Sequence, residues 1–239
     1  MMGNLALDRG LRTSGMNFII DCDGPIIDVR PVHYQAFREV VAELGWSCLD
    51  EATYWRLVRS KGREANLLPG AKPTKHAKLH ERFAEVVESH EIAGTGEPHD
   101  GRKMNETIQA LARHGRCAVV TTGANIETRR QVLERHGIGP LLTCTERLSE
   151  DPRRRPAELR ALSQGDRHTI VAAASDAIIR AAREANLFAL GISTGPCSAA
   201  RLHQAGADVV YGSLGELPES LRKGTPDLIA AGLPPLSLG

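Results

Sequence analysis

The sequence predicts an α/β fold, a doubly wound, Rossmann-like parallel sheet interrupted by a helical insertion. Short runs that are apolar on both faces recur along the chain, as strands covered on both sides require. Helix-like periods separate them, and strand alternating with helix builds a parallel sheet. One interval, residues 31–98, breaks the rhythm with helical patterns and no convincing strand.

Taken in order, Asn17 to Ile20 reads as the first buried strand. The insertion follows, with helical periods at His33 to Leu44, Thr53 to Arg59 and Lys78 to Glu88. The stretch GTGEPHDG, Gly94 to Gly101, closes it and returns the chain to the sheet. Cys117 to Thr121 is the second strand and Ile126 to His136 its helix; the helix Pro156 to Ser163 precedes the strand Thr169 to Ala173. The helix Ile178 to Ala185, the strand Phe188 to Ile192 and the helix Ser198 to Ala205 continue the alternation, and Asp208 to Tyr211 makes a fifth strand. The expected organisation is a loose N-terminal arm (1–15), an α/β core (16–30 and 99–221), a helical insertion (31–98) and a Gly/Pro-rich peripheral tail (222–239).

Composition narrows the function. The chain has 239 residues, enough for a sizeable core, and a formal net charge of +1 that gives no case for nucleic acid or a charged membrane surface. Aromatic residues make up 4%, too few for stacking platforms along a single strand. Five scattered cysteines without a Cys-x-x-Cys pair argue against a disulfide framework or a zinc site and fit a reducing cytoplasm. No apolar run approaches a membrane span, and the start lacks the apolar stretch of a signal peptide.

The chemistry begins at FIIDCDGPIID. Asp21 and Asp23 stand at the carboxyl end of the first strand, where open α/β sheets bind ligands. Taken alone, Asp-x-Asp-Gly fits an acidic turn equally well. Alternate residues of an extended backbone share a side, so both carboxylates can face one ligand.

The wider context resembles the haloacid dehalogenase-like superfamily, in its phosphoglycolate phosphatase and β-phosphoglucomutase-like branch with a helical cap. The resemblance covers residues 17–221. It rests on FIIDCDGPIIDVRPVHYQAFREVVAELG, VVTTGANIETRRQVLERHGI and NLFALGISTGPCSAARLHQAGADVVYGSLGELPESL. It implies a phosphomonoester hydrolase for a small phosphorylated metabolite. Asp21 would attack phosphorus and carry an aspartyl-phosphate, and Asp23 would protonate the leaving oxygen. Thr121, Thr122 and Gly123 would hold the phosphoryl oxygens, with Arg155 standing where the family usually has lysine before proline. Gly62 and Arg63 would be cap contacts to substrate, and Arg59 and Lys61 could meet a second anionic group or form a solvated helix end. The resemblance also implies Mg2+, held by Asp21, Asp23 and, if the loop is remodelled, Asp176.

One motif departs from the pattern. In TIVAAASDAIIRAAREANL, Ala174 and Ile178 stand where the family has metal-anchoring carboxylates. Mg2+ takes near-octahedral oxygen ligation from a small number of carboxylates, waters and phosphate. Two readings stay open: a weak phosphatase, or an impaired relative that binds a phosphorylated ligand or partner. Ala174→Asp is expected to raise metal affinity or turnover. The histidines His33, His76, His80, His90 and His99 show no metal spacing.

Overall fold

The computed structural model describes residues 15–61, 73–92, 96–123, 125–166, 168–230 and 232–233. The expected arm (through residue 14), Gly62 and Arg63 lie outside the described residues. Strand β1 (Met16–Asp21) leads into a two-residue strand β2 (Ile27–Asp28), and then into helices α1 (Arg30–Glu43), α2 (Glu51–Lys61) and α3 (Pro73–Ile92). A second two-residue strand, β3 (Glu97–Pro98), pairs antiparallel with β2. The chain therefore leaves for the helical unit and returns from it through one narrow ribbon.

The remainder alternates: α4 (Gly101–Ala112), β4 (Gly115–Thr121), α5 (Ile126–Arg135), β5 (Cys144–Arg147), α6 (Arg155–Ser163), β6 (Thr169–Ala173), α7 (Asp176–Glu184), β7 (Phe188–Ile192), α8 (Ala199–Gln204), β8 (Val209–Tyr211), α9 (Leu217–Lys223) and α10 (Pro226–Ala230). The sheet has six parallel strands in the order β5-β4-β1-β6-β7-β8. Strand β1 is central, so its carboxyl end opens where the chain order switches direction.

Pleating explains the doubly apolar runs. Phe18 and Ile20 point into one layer with Val119, Ile170 and Leu190, while Ile19 points into the other with Val120, Val171 and Ile178. The helical unit has its own core of Phe37, Val40, Tyr54, Leu79, Phe83 and Val86. Among the described residues, no helix is long and apolar enough to cross a membrane.

Two expectations change. Strand β5 was not anticipated, because CTER is an edge strand with half-exposed and exposed side chains and no apolar run. Nor is the segment after residue 221 a loose extension throughout: α10 and the residues behind it bury Leu228 and Leu233 in the main core. Those two leucines cover apolar surface that the sheet layer would otherwise leave in water.

Candidate functional site

The turn after β1 sets the geometry. Cys22 donates its backbone N–H to the Val120 carbonyl, and its own carbonyl accepts from the N–H groups of Ile26 and Ile27. Gly24 has φ +104°, a region that L side chains rarely adopt. Its carbonyl accepts from the Thr194 hydroxyl at 2.6 Å and lies 2.8 Å from His99 Nε2. The turn is therefore held from three elements and is not a solvated acidic loop.

Asp21, the last residue of β1, is only 2% exposed. Burial above all, then the neighbouring Asp23 charge, pushes its carboxyl well above the usual carboxylate range; the N–H groups of Asp23 and Ala174 and the Arg129 guanidinium offset this only in part. Asp23 N–H lies 3.4 Å from Asp21 Oδ1. The Asp23 carboxylate is held on both oxygens: Oδ2 accepts from the Thr121 hydroxyl at 2.8 Å, and Oδ1 from Arg129 Nε at 2.6 Å. Thr121 Oγ1 in turn accepts from the Gly123 N–H at 2.9 Å. Asp21, Asp23, Thr121, Thr122 and Gly123 thus come together at the carboxyl ends of β1 and β4.

They face a cleft of about 450 Å³. Its floor includes Asp21, Asp23, Thr122, Gly123 and Ser175, and its roof is built by His33 of α1 with Ala84, Glu85, Val87 and Glu88 of α3. The helical unit is tied over the core by guanidinium–carbonyl bonds running both ways. Arg59 Nη2 of α2 donates to the carbonyls of Ser193 and Gly195 at 3.3 Å each, and Arg201 Nη1 of α8 donates to the Val58 carbonyl at 3.4 Å. Arg59 is therefore occupied by the core's own backbone and not turned to a second anionic group.

Other expected site residues stand elsewhere. Arg155 Nε and Nη2 donate to the carbonyls of Ser149 and Glu150, so the loop after β5 captures the guanidinium, and Arg155 is not among the cleft-lining residues. Asp176 opens α7, where Ser175 accepts from the Ile178 N–H as N-cap. The Asp176 Oδ2 accepts from Arg180 at 2.9 Å and Arg201 at 3.0 Å. Burial alone would raise its carboxyl, but the Arg201 and Arg180 contacts outweigh it and hold it below the usual range.

These positions do not fit a divalent cation held in the manner the resemblance implies. Asp176 is committed to two arginines and does not reach the cleft. Ala174 is fully buried, and a Cβ placed on either Gly24 or Gly195 would come within 2.5 Å of its own. The two glycines thus pack closely against the methyl group. No group of three His, Cys, Asp or Glu suited to a metal occurs among the described residues. Close packing around Ala174 opposes the gain expected from Ala174→Asp.

Arg129 is the residue that sequence reasoning missed. Its side chain is 3% exposed against a partly exposed Asp23. The signal was its place on α5, three and four residues before the buried Val132 and Leu133, which puts it on the inward stripe.

A hydrolase of the haloacid dehalogenase-like family from Streptococcus pneumoniae superposes with a TM-score of 0.67 over 86% of this chain and 97% of that one, at 17% identity. The fold is that of the haloacid dehalogenase-like hydrolases. CbbY from Rhodobacter sphaeroides, solved in complex with phosphate, superposes with a TM-score of 0.58 at 22% identity, over 85% of this chain and 96% of that one. Among curated proteins, CbbY of Rhodobacter capsulatus is 32% identical over 124 residues, 46% of this chain and 52% of that protein. The match thus spans about half the length of that relative. No family model matches the chain.

Proposed function

We propose that the protein is a phosphoglycolate-phosphatase-like phosphomonoester hydrolase of small phosphorylated metabolites, working through an aspartyl-phosphate on Asp21. The observation that carries the proposal is the convergence of Asp21 and Asp23 on the floor of a roofed cleft, with the buried Thr121 hydroxyl on Asp23 behind them. A phosphate ester seated there would lie beside Thr122 and Gly123, with the Gly123 N–H already donated to Thr121 Oγ1. Asp21 attacks phosphorus, the bond to the leaving oxygen breaks, and Asp23 supplies that oxygen with a proton. Water then cleaves the acyl phosphate, with Asp23 accepting its proton and Asp21 regenerated. Asp21 attacks only as the carboxylate, and its raised pKa therefore withholds the nucleophile until the pH is well above the usual carboxylate range.

Asp23 must give up the Thr121 hydroxyl before Oδ2 can face a leaving group, and the buried Arg129 pair holds its other oxygen. That restraint, together with the closed packing around Ala174, favours the second reading, a slow relative that retains phosphorylated ligands. Hydrolysis of an aryl phosphate, followed by acid quench and mass measurement of the trapped phospho-protein, separates the two. A phosphate adduct on the parent and none on Asp21→Asn supports the hydrolase; turnover unchanged in Asp21→Asn refutes the nucleophile.

A further inference from the structure

The charge on the cleft's roof bears on the substrate, given the phosphate-ester reading of its floor. Four carboxylates line the cleft, those of Asp21, Asp23, Glu85 and Glu88, and no lysine or arginine does so among the described residues. On the floor the charge is partly cancelled, because Arg129 pairs with Asp23. On the roof it is cancelled less. Glu85 shares the single guanidinium of Arg82 with Glu43, and Glu88 makes no ion pair among the described residues. Glu85 and Glu88 sit one helical turn apart on α3, so they present one acidic edge to the cleft. Beside them stands the His33 ring, packed edge-on against Phe83 at 5.7 Å and tilted against Trp55 at 6.5 Å.

A phosphate ester with a carboxylate tail would bring a second negative charge against Glu85 and Glu88. Arg82, the cation beside Glu85 on α3, is already shared with Glu43, and Arg59 donates to backbone carbonyls. An ester with a cationic tail would meet complementary charge at both ends. We infer that the substrate is a zwitterionic phosphomonoester, an aminoalkyl phosphate, with its phosphate on Asp21, Thr122 and Gly123 and its ammonium on Glu88 and Glu85. Charge of the wrong sign in a substrate pocket excludes competitors as well as selecting the partner.

The test compares phosphoethanolamine, phosphoglycolate and p-nitrophenyl phosphate as substrates of the full chain, with orthophosphate binding followed calorimetrically. Phosphoethanolamine should exceed phosphoglycolate in kcat/KM by about tenfold or more, the scale of one good charge contact. Glu88→Gln should shrink that ratio several-fold, and Glu88→Lys should invert it; Glu88 is exposed on the helix, and these variants therefore test recognition rather than folding. Phosphoglycolate preferred or equal in the parent, or a ratio unmoved in both variants, overturns the inference while leaving the phosphate site standing. Failure to cleave p-nitrophenyl phosphate and to bind orthophosphate overturns the underlying reading, and the inference with it.

Discussion

Replacing Arg129 with methionine probes the polar centre of the site. The change keeps much of the apolar stem and removes the guanidinium from a side chain that is 3% exposed. Breaking a buried ion pair by deleting one partner costs about 3–5 kcal/mol, because the other charge is left uncompensated. Asp23 is 21% exposed and keeps the Thr121 hydroxyl, which lowers the expectation to about 2–4 kcal/mol. For a chain of this size about 1 kcal/mol moves Tm by roughly 2–4 °C, so Tm should fall by roughly 4–16 °C. Thermal and urea unfolding of the parent, Arg129→Met, Asp23→Asn and the double variant complete the cycle. Coupling above about 1 kcal/mol is expected; coupling within about 0.5 kcal/mol, the ordinary scatter of independent sites, refutes the pair as an energetic unit.

Three further outcomes follow from the same geometry. A group whose folded pKa is raised contributes stability that is present below its unfolded pKa and lost as pH rises through the folded one. Asp21→Asn removes that loss and should make the fold more stable than the parent at neutral and mildly alkaline pH, even as it abolishes turnover; a parent that is no less stable than the variant at pH 8 contradicts the burial argument. In the active parent, the acid limb of the pH–rate profile should lie above the usual carboxylate range, and a limb near pH 4 would contradict it. Ala174→Asp forces a carboxylate into closed packing beside Asp21, and overpacking plus an unsatisfied buried group should destabilise by about 2–6 kcal/mol with no Mg2+-dependent rise in Tm. A stable variant that gains Tm with Mg2+ would show that the loop can open. Gly24→Ala combines a left-handed φ with a Cβ 2.5 Å from that of Ala174, and unfolding measurements should show a loss of about 2–4 kcal/mol.

The sheet was legible because its inner strands are buried on both faces, and runs such as FIID and TIVAA admit few other placements. CTER was not, since an edge strand takes its identity from the partner it pairs with and not from its own side chains. Asp21 and Asp23 were legible as a pair, because the strand end and the glycine fix their direction together. Arg129 was hidden by the neighbouring Arg130, which is exposed and makes TRRQ look like a solvated helix face. Arg155 and Asp176 were misplaced for one shared reason. A charged side chain beside free carbonyls or unmatched charges pairs locally, and sequence spacing does not reveal those partners. The acidic roof depends on how α3 lies across the sheet, a tertiary fact with no local signature.

The crossed ties of Arg59 and Arg201 make the roof and the aspartate turn parts of one linkage. The segment that Arg59 grips through Ser193 and Gly195 also carries Thr194, which holds the Gly24 carbonyl, and Gly195, which seats against Ala174. Moving the helices off the core must break these bonds and disturb the turn that carries both acids. A displacement of the helices and a change in the bend of that turn are therefore coupled through the same few hydrogen bonds.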